Sequence, residues 1–323
     1  MLYLHFINVG DGDAILVENR QGNKVFRLLV DAGRADVGAY PGSRRLTAAA
    51  YLRRREIERL DAVVVTHLHT DHFAGLAPLL EAVEVGTVIS GFFPCRPVGR
   101  IVRTGMEEKT VRGLMDCLEQ WAETAERLRA MGCRLLQAEN SLPLPAPEGL
   151  QIEAVVPDPD AAARQRQIWT ALLAGEWPDQ DMVWWSSKFR NPGSLRLRLA
   201  YAGRRIELAG DCYGAAWEEE AKPCDLFKVP HHGDAKSLTP PLVQRLRPAH
   251  AVISCSAEYI PRKDRPSLQA AGLLEAAGAQ VWFTDSFALP GREPAHWAAL
   301  TFAVAEDGSI LPPEASYSAH QDT

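Results

Sequence analysis

Ten consecutive residues, Thr66-His67-Leu68-His69-Thr70-Asp71-His72-Phe73-Ala74-Gly75, concentrate coordination chemistry. His67, His69, Asp71 and His72 bring three imidazoles and a carboxylate into a six-residue span. These donor types hold zinc, and to a lesser extent manganese or iron. Before them, Asp61-Ala62-Val63-Val64-Val65-Thr66 reads as a buried strand. After them, the run from Gly75 through Pro78, Leu79, Leu80 and Val83 reads as a helix. The donors therefore fall on a strand-to-helix loop. Such a loop can aim His67 and His69 at one ion and Asp71 and His72 at a second. A chance scatter of surface histidines would not combine this density with this context.

Two later stretches end strands in the same chemistry. Asp211 follows Arg205-Ile206-Glu207-Leu208-Ala209 and a glycine. A carboxylate at a strand end can reach two ions at once, and a bridging group suits a pair roughly 3.5–4 Å apart. The alternative is a cap for a helix beginning near Ala215. The second stretch is Asp225-Leu226-Phe227-Lys228-Val229-Pro230-His231-His232-Gly233. Neighbours on an extended chain point apart. One of His231 and His232 is thus expected to bind an ion and the other to face substrate, with His232 preferred as the ligand. Asn191, Ser194, Lys236 and the spare histidine are candidates to orient a substrate.

The order His-x-His-x-Asp-His between a strand and a helix resembles the metal-binding signature of the metallo-β-lactamase superfamily. That resemblance implies an α/β fold, a four-layer αββα sandwich with a dinuclear site at the strand ends. Four further runs resemble one branch, the ComEC-type hydrolase domain of competence proteins and its stand-alone relatives. They are Asn8-Val9-Gly10-Asp11-Gly12-Asp13-Ala14, Asp31-Ala32-Gly33, Asn191-Pro192-Gly193-Ser194 and Val229-Pro230-His231-His232-Gly233. The likeness covers nearly the whole chain apart from segments near 92–146 and 160–190. It makes Asp31 the carboxylate that accepts from a metal-bound histidine. Asp13 is a second such residue or a plain turn residue.

The chain departs from the pattern in three places. No histidine lies between His72 and His231. The first ion would then have only His67, His69 and the shared Asp211, leaving the open position that catalytic sites keep. Asp11 stands where the branch carries glutamine. Arg265-Pro266-Ser267 stands where it carries His-Pro-Ser. Arg265 can bind phosphate through two N–H groups, or be a solvated residue ahead of a helix starting at Pro266.

The elements that must carry these residues are legible from periodicity. Residues 1–33 read as three strands, and 47 to about 60 as a helix whose Arg53, Arg54, Arg55 and Arg59 form a solvated face or, as the alternative, line an anionic substrate cleft. A strand follows at 86–90. A long amphipathic helix from 107 to 131 has Leu114, Leu118, Trp121, Ala125 and Leu128 on one stripe. Strands return at 150–156, from Leu195, and at 299–305. Trp169, Trp177, Trp184 and Trp185 mark 160–190 as an insertion near the site mouth or a dimer surface, with simple core packing an equal reading for each Trp taken singly. With no repeat and no linker, residues 1–323 read as one domain, with helical insertions near 92–146 and 160–190 and a polar tail from about 312.

Across 323 residues, 35 Lys and Arg oppose 41 Asp and Glu, a formal charge of −6. That balance gives no global reason to bind nucleic acid or membrane. No apolar run is long enough to span a bilayer. Met1-Leu2-Tyr3-Leu4-His5-Phe6 enters a strand pattern without the layout of a signal peptide. Cys95, Cys117, Cys133, Cys212, Cys224 and Cys255 lack C-x-x-C spacing, as reduced thiols of a cytoplasmic protein would.

These readings point to a hydrolase with two divalent metal ions, zinc first and manganese second. It would act on an anionic phosphodiester, as a phosphodiesterase or nuclease using a hydroxide shared by the ions. Asp71, Asp211, Asn191, Ser194, His231, Lys236 and Arg265 are the residues expected to serve the reaction. Arg96, Arg100, Arg103, Arg262 and Lys263 could join Arg265 along a nucleic-acid backbone, with binding that weakens steeply in salt. Two other readings stay open. One is hydrolysis of a small ester, lactone or phosphorylated head group. The other is a regulatory or interaction module with a vestigial metal site.

Overall fold

Apolar side chains alternate along the strands so that neighbouring residues enter different cores. This sorts the chain into layers. The protein is seen here as a computed structural model that describes residues 1–38, 43–95, 101, 108–256, 265–285, 289, 291 and 297–313. Arg96, Arg100, Arg103, Arg262, Lys263 and most of the expected tail lie outside the described residues.

In chain order the strands are β1 (Leu2–Ile7), β2 (Ile15–Gln21), β3 (Lys24–Val30), β4 (Arg59–Val65), β5 (Glu84–Ser90), β6 (Arg134–Gln137), β7 (Leu142–Pro143), β8 (Leu150–Val155), β9 (Arg196–Tyr201), β10 (Arg204–Leu208), β11 (Leu226–Lys228), β12 (His250–Ile253), β13 (Gln280–Phe283), β14 (Ala299–Val304) and β15 (Ile310–Leu311). The helices are α1 (Ala48–Arg54), α2 (Thr70–Phe73), α3 (Leu76–Leu79), α4 (Lys109–Ala130), α5 (Pro159–Leu173), α6 (Gln180–Lys188), α7 (Pro240–Leu246) and α8 (Leu268–Ala276).

The first sheet has the order β15-β14-β1-β2-β3-β4-β5-β6, and the second β13-β12-β11-β10-β9-β8-β7. Each is antiparallel in one half and parallel in the other. The parallel halves are β3 to β6 and β10 to β13.

Three cores show the four layers of an αββα sandwich. Leu28, Val30, Val64, Leu197, Leu208 and Leu226 meet between the sheets. Their neighbours Leu29, Val63 and Val65 face outward against α1 and α3 to α6. Phe227, Val229, Ala251 and Ile253 face outward on the other side, against Leu242 and Leu246 of α7 and Leu274 of α8. The four-layer class expected from the sequence is the one observed.

The long helix matches its stripe. Glu108 caps α4 by accepting from Val111 N at 2.9 Å, and Leu114, Leu118, Trp121, Ala125 and Leu128 are buried. The segments expected as insertions supply strands as well as helices: β6 pairs with β5, and β7 with β8. Trp169 is buried in the outer core, while Trp177 and Trp184 are exposed.

Two helices are shorter than expected. The chain after Thr47 leaves the helix at Arg54, not near 60, because Glu56 adopts φ 55° and turns Ile57 into the core ahead of β4. The helix after Gly75 is a single turn before β5 begins at Glu84. All six cysteines are free thiols. Among the described residues, no helix is long and apolar enough to cross a membrane.

Arg55, expected on a solvated face, instead reaches a buried acid. Glu18, with a side chain only 1% exposed, accepts from Arg27 Nε at 2.9 Å, Arg20 Nη2 at 3.0 Å and Arg55 Nη2 at 3.3 Å. Burial alone would raise its pKa, but His5 and the arginines outweigh burial and hold it well below the carboxylate range. A depressed folded pKa stabilises the fold above the unfolded value near about 4.3 and loses that contribution as pH falls below it. Glu18→Gln is therefore expected to cost about 1.5–3 kcal/mol at neutral pH, with the gap to wild type narrowing below about pH 4. Urea unfolding at pH 7 and pH 3.5 measures both, and a gap that does not change with pH would contradict this assignment.

Candidate metal centre

Four adjacent strand ends from the two sheets deliver the donors. β3 ends before Asp31, β4 before the loop His67 to His72, β10 before Asp211, and β11 before His231 and His232. Open α/β sheets bind ligands outside the carboxyl ends of their strands. The loops are stitched together across the sandwich, where Leu195 N donates to Thr66 O at 2.9 Å, and within the second sheet, where His231 N donates to Gly210 O at 3.3 Å. Gly75 lets the motif loop close against the turn after β3. Its amide donates to Gly33 O at 2.8 Å, and a Cβ there would stand 2.1 Å from Ala32 O.

Two groups of donors result. Atoms of His67, His69 and Asp211 lie within 4.8 Å of one another, as do atoms of Asp71, His72 and His232. Asp211 stands between them, with Oδ2 3.6 Å from His67 Nε2 and 3.4 Å from His72 Nε2, and Oδ1 3.9 Å from His232 Nε2. A third grouping, Asp13, His72 and Asp211, meets the same distance. Asp211 is not a helix cap, since Tyr213 precedes the short turn Gly214–Ala216.

The rings are oriented from behind. His72 Nδ1 donates to Asp31 Oδ2 at 2.7 Å, and His232 Nδ1 donates to Ser254 O at 3.1 Å. Asp31 itself is anchored by Thr66, whose amide and hydroxyl donate to its two oxygens at 2.8 and 2.7 Å. These bonds leave each Nε2 directed inward, the tautomer a metal ligand needs. His72 Nε2, His232 Nε2 and Asp211 Oδ1 are buried with no hydrogen-bond partner. Buried polar atoms are normally satisfied. Two inward ring nitrogens and the carboxylate oxygen beside them, all of ligand type, fit a divalent ion.

Electrostatics divides the imidazoles. Burial, then the neighbouring His72, holds His67 well below its ordinary pKa. Burial and Arg190 push His69 down to about 3, so both rings are neutral near pH 7. Burial works the same way on His72, but Asp211 and Asp31 outweigh it and hold its pKa well above the usual value. His232 is raised against burial by Asp211 and Asp71. Burial would raise Asp71 and Asp211, but their histidine partners hold both well below the carboxylate range.

The remaining candidates fall at different depths. His231 and His232 are not on extended chain; both adopt left-handed backbone, φ 46° and 55°, in the turn Pro230–Gly233. The tight turn still separates their rings. His232 joins the second donor group, while His231 faces the mouth, with Nδ1 2.6 Å from Asp234 Oδ2 and Nε2 4.0 Å from Asp211 Oδ2. Arg265 is not simply solvated. Its Nη1 donates to His231 Nε2 at 3.1 Å, and Nη2 lies 3.8 Å from Asp11 Oδ1. Ser194 lies beneath the site, fully buried, and its hydroxyl accepts from Asp211 N at 3.2 Å. Asn191 is buried with Oδ1 unpartnered. Lys236 is exposed, two residues past the Asp234 carboxylate that its amide reaches.

Sequence reasoning missed three residues. Arg190 is buried against the motif loop, donating to Leu68 O at 3.2 Å and to Ser187 O at 3.2 Å. Lys228, in an apolar strand, is fully buried and pairs with Asp13. Tyr213 sets its ring edge against His231, centroids 5.1 Å apart, and burial with nearby Asp234 pushes its hydroxyl up to about 12. A basic residue flanked by Leu226, Phe227 and Val229 was the available signal for Lys228.

Comparison with known proteins agrees with this picture at the level of fold. Residues 7–92 match the family model described as Metallo-beta-lactamase superfamily. The matched stretch runs from the end of β1 through β5 and contains the His67 to His72 loop. No curated protein matches the chain. Among solved structures, the chain is similar to a mutant of CmlA beta-hydroxylase at 14% identity and TM-score 0.47, covering 87% of this chain and 52% of that one. It thus spans about half the length of that protein. It is similar to the metallo-beta-lactamase fold protein YhfI from Bacillus subtilis at 12% identity and TM-score 0.47, covering 88% of this chain and 96% of the other. It is also similar to zinc-bound PqqB from Methylobacterium extorquens at 10% identity and TM-score 0.44, covering 88% and 98%.

The support behind the rings gives a direct test. Removing a group that orients a metal-binding histidine lowers metal affinity about 10–100-fold. Asp31→Ala should show that loss in a chelator competition, whereas Asp234→Ala, which among the centre's histidines removes the partner of His231, should leave metal affinity near wild type. Equal effects at the two positions would contradict the assignment of His72 to the inner site and His231 to the mouth.

Proposed function

We propose that this chain hydrolyses phosphodiester bonds with two divalent ions, zinc or manganese, held by His67, His69, Asp71, His72, Asp211 and His232. One observation carries the reading: the Asp211 carboxylate faces both donor groups, 3.6 Å from His67 Nε2 and 3.4 Å from His72 Nε2. When bound, such a pair of ions supplies Lewis acidity and an activated water nucleophile.

The chain's own residues do the positioning. Asp31 and Ser254 O fix the tautomers of His72 and His232. Ser194 holds the amide that carries Asp211. At the mouth, Asp234 holds the Nδ1 edge of His231, so that Nε2 turns toward Arg265 and Asp211. Arg265 gives one N–H to His231 and faces Asp11 with its other arm; an anion that displaces the Asp11 contact would meet a guanidinium fork that matches two oxygens of a phosphate. Tyr213 stays protonated across the physiological range and is available as a donor beside them. A phosphodiester can use these donors, while a neutral lactam uses little of them. The ComEC-type resemblance is consistent with the same substrate class, and a nuclease would be its polymeric form. The free cysteines suit a cytoplasmic setting.

Hydrolysis of an aryl phosphodiester and of a chromogenic β-lactam, each with and without chelator, tests this reading. The diester should be cleaved in a chelator-sensitive way and the β-lactam should not. Arg265→Ala should lose about 1.5–3 kcal/mol of transition-state stabilisation on the diester, the worth of a hydrogen bond to a charged group. Cleavage of the β-lactam with the diester untouched would contradict the proposed substrate class. Unchanged diester turnover in Arg265→Ala would remove the anion clamp.

A further inference from the structure

Lys228 sits in β11 with no solvent exposure, between Phe227 and Val229. A buried ammonium is costly unless its donors are met. Here two groups meet them, and both belong to the metal centre. The ammonium donates to the Asp13 carboxylate and, at 3.0 Å, to Gly210 O.

Gly210 is the residue before Asp211. It adopts φ 51°, and a Cβ there would stand 2.4 Å from Ser194 Oγ, so its peptide is closely confined. Fixing its carbonyl fixes the backbone from which Asp211 projects. Asp13 lies behind the second donor group. Its Oδ2 is 3.8 Å from His72 Nδ1, and its Oδ1 is 3.9 Å from His232 Nδ1. These are the ring edges turned away from the inward Nε2 atoms. One ammonium thus anchors the shared carboxylate's backbone and the acid behind both imidazoles of the second group. No contact of this kind runs from Lys228 or Asp13 to His67 or His69.

We propose that Lys228 is a positioning residue for the second ion, acting through Asp13 and Gly210 and not as a ligand. The inference rests on the two-ion reading above. It also has a sign that charge alone would reverse. Deleting a cation beside a cation site should tighten metal binding by electrostatics, whereas loss of positioning should weaken it.

The test is a zinc titration of metal-stripped wild type, Lys228→Met and the pair Lys228→Met/Asp13→Asn, with thermal melting alongside. The pair removes both buried charges and so guards against a variant that fails to fold. Wild type should bind two ions. In both variants the second ion should bind about 10–100-fold more weakly, and the first, which meets this support only through Asp211, should weaken less. An unchanged or tighter second ion would overturn the proposal, and so would equal weakening of both ions in step with the melting temperature. If folded wild type takes up no ion at all, the two-ion reading itself fails.

Discussion

Negative charge gathered out of water is the constraint around which this molecule is built. Asp13, Asp31 and Asp211 are almost wholly buried, and Asp71 is only 15% exposed at its side chain. Carboxylates taken out of water must be paired, hydrogen-bonded or bound to cations. Lys228 answers Asp13, and the Thr66 donors and His72 answer Asp31. Asp211 and Asp71 instead face histidine nitrogens, two of which are held in a raised-pKa state by those same acids. The arrangement is balanced when positive charge sits between the donors, as protons or as metal ions.

The sandwich makes that concentration possible. Each sheet turns its parallel half toward the same end, and the ends of β3, β4, β10 and β11 converge there. The inter-sheet core, with Val30, Val64, Leu208 and Leu226 one or more residues before the donors, sets how far each chain reaches before it turns. Rigid strand ends place polar groups more precisely than free loops can. The outer helices contribute at a distance. Arg190, just past α6, ties Leu68 of the motif loop to the α4 face through Cys117.

Much of this was legible in the sequence because its signals are local. The four donors between His67 and His72 need only one strand and one turn to make sense, and Asp211 and the His231-His232 pair follow strand patterns of their own. The four layers follow from apolar alternation with the resemblance those motifs carry. What escaped was set by tertiary contact. Lys228 reads as an odd residue in an apolar strand until Asp13, 215 positions away, is beside it. Ser194 reads as a substrate contact until the strand ends close over it. The extended geometry assumed for His231 and His232 gave the right divergence for the wrong backbone, because the chain turns left-handed there. The helix after Thr47 stops early because Ile57 has a core position to fill, a demand invisible in the helical run itself.

The most direct measurement is anomalous diffraction from crystals grown with zinc or manganese. Two peaks are expected, one among His67, His69 and Asp211 and the other among Asp71, His72, His232 and Asp211, with the Asp211 carboxylate touching both. A folded, well-ordered centre with no ion in metal-containing crystals, or with a single ion that Asp211 does not touch, would contradict the two-ion site.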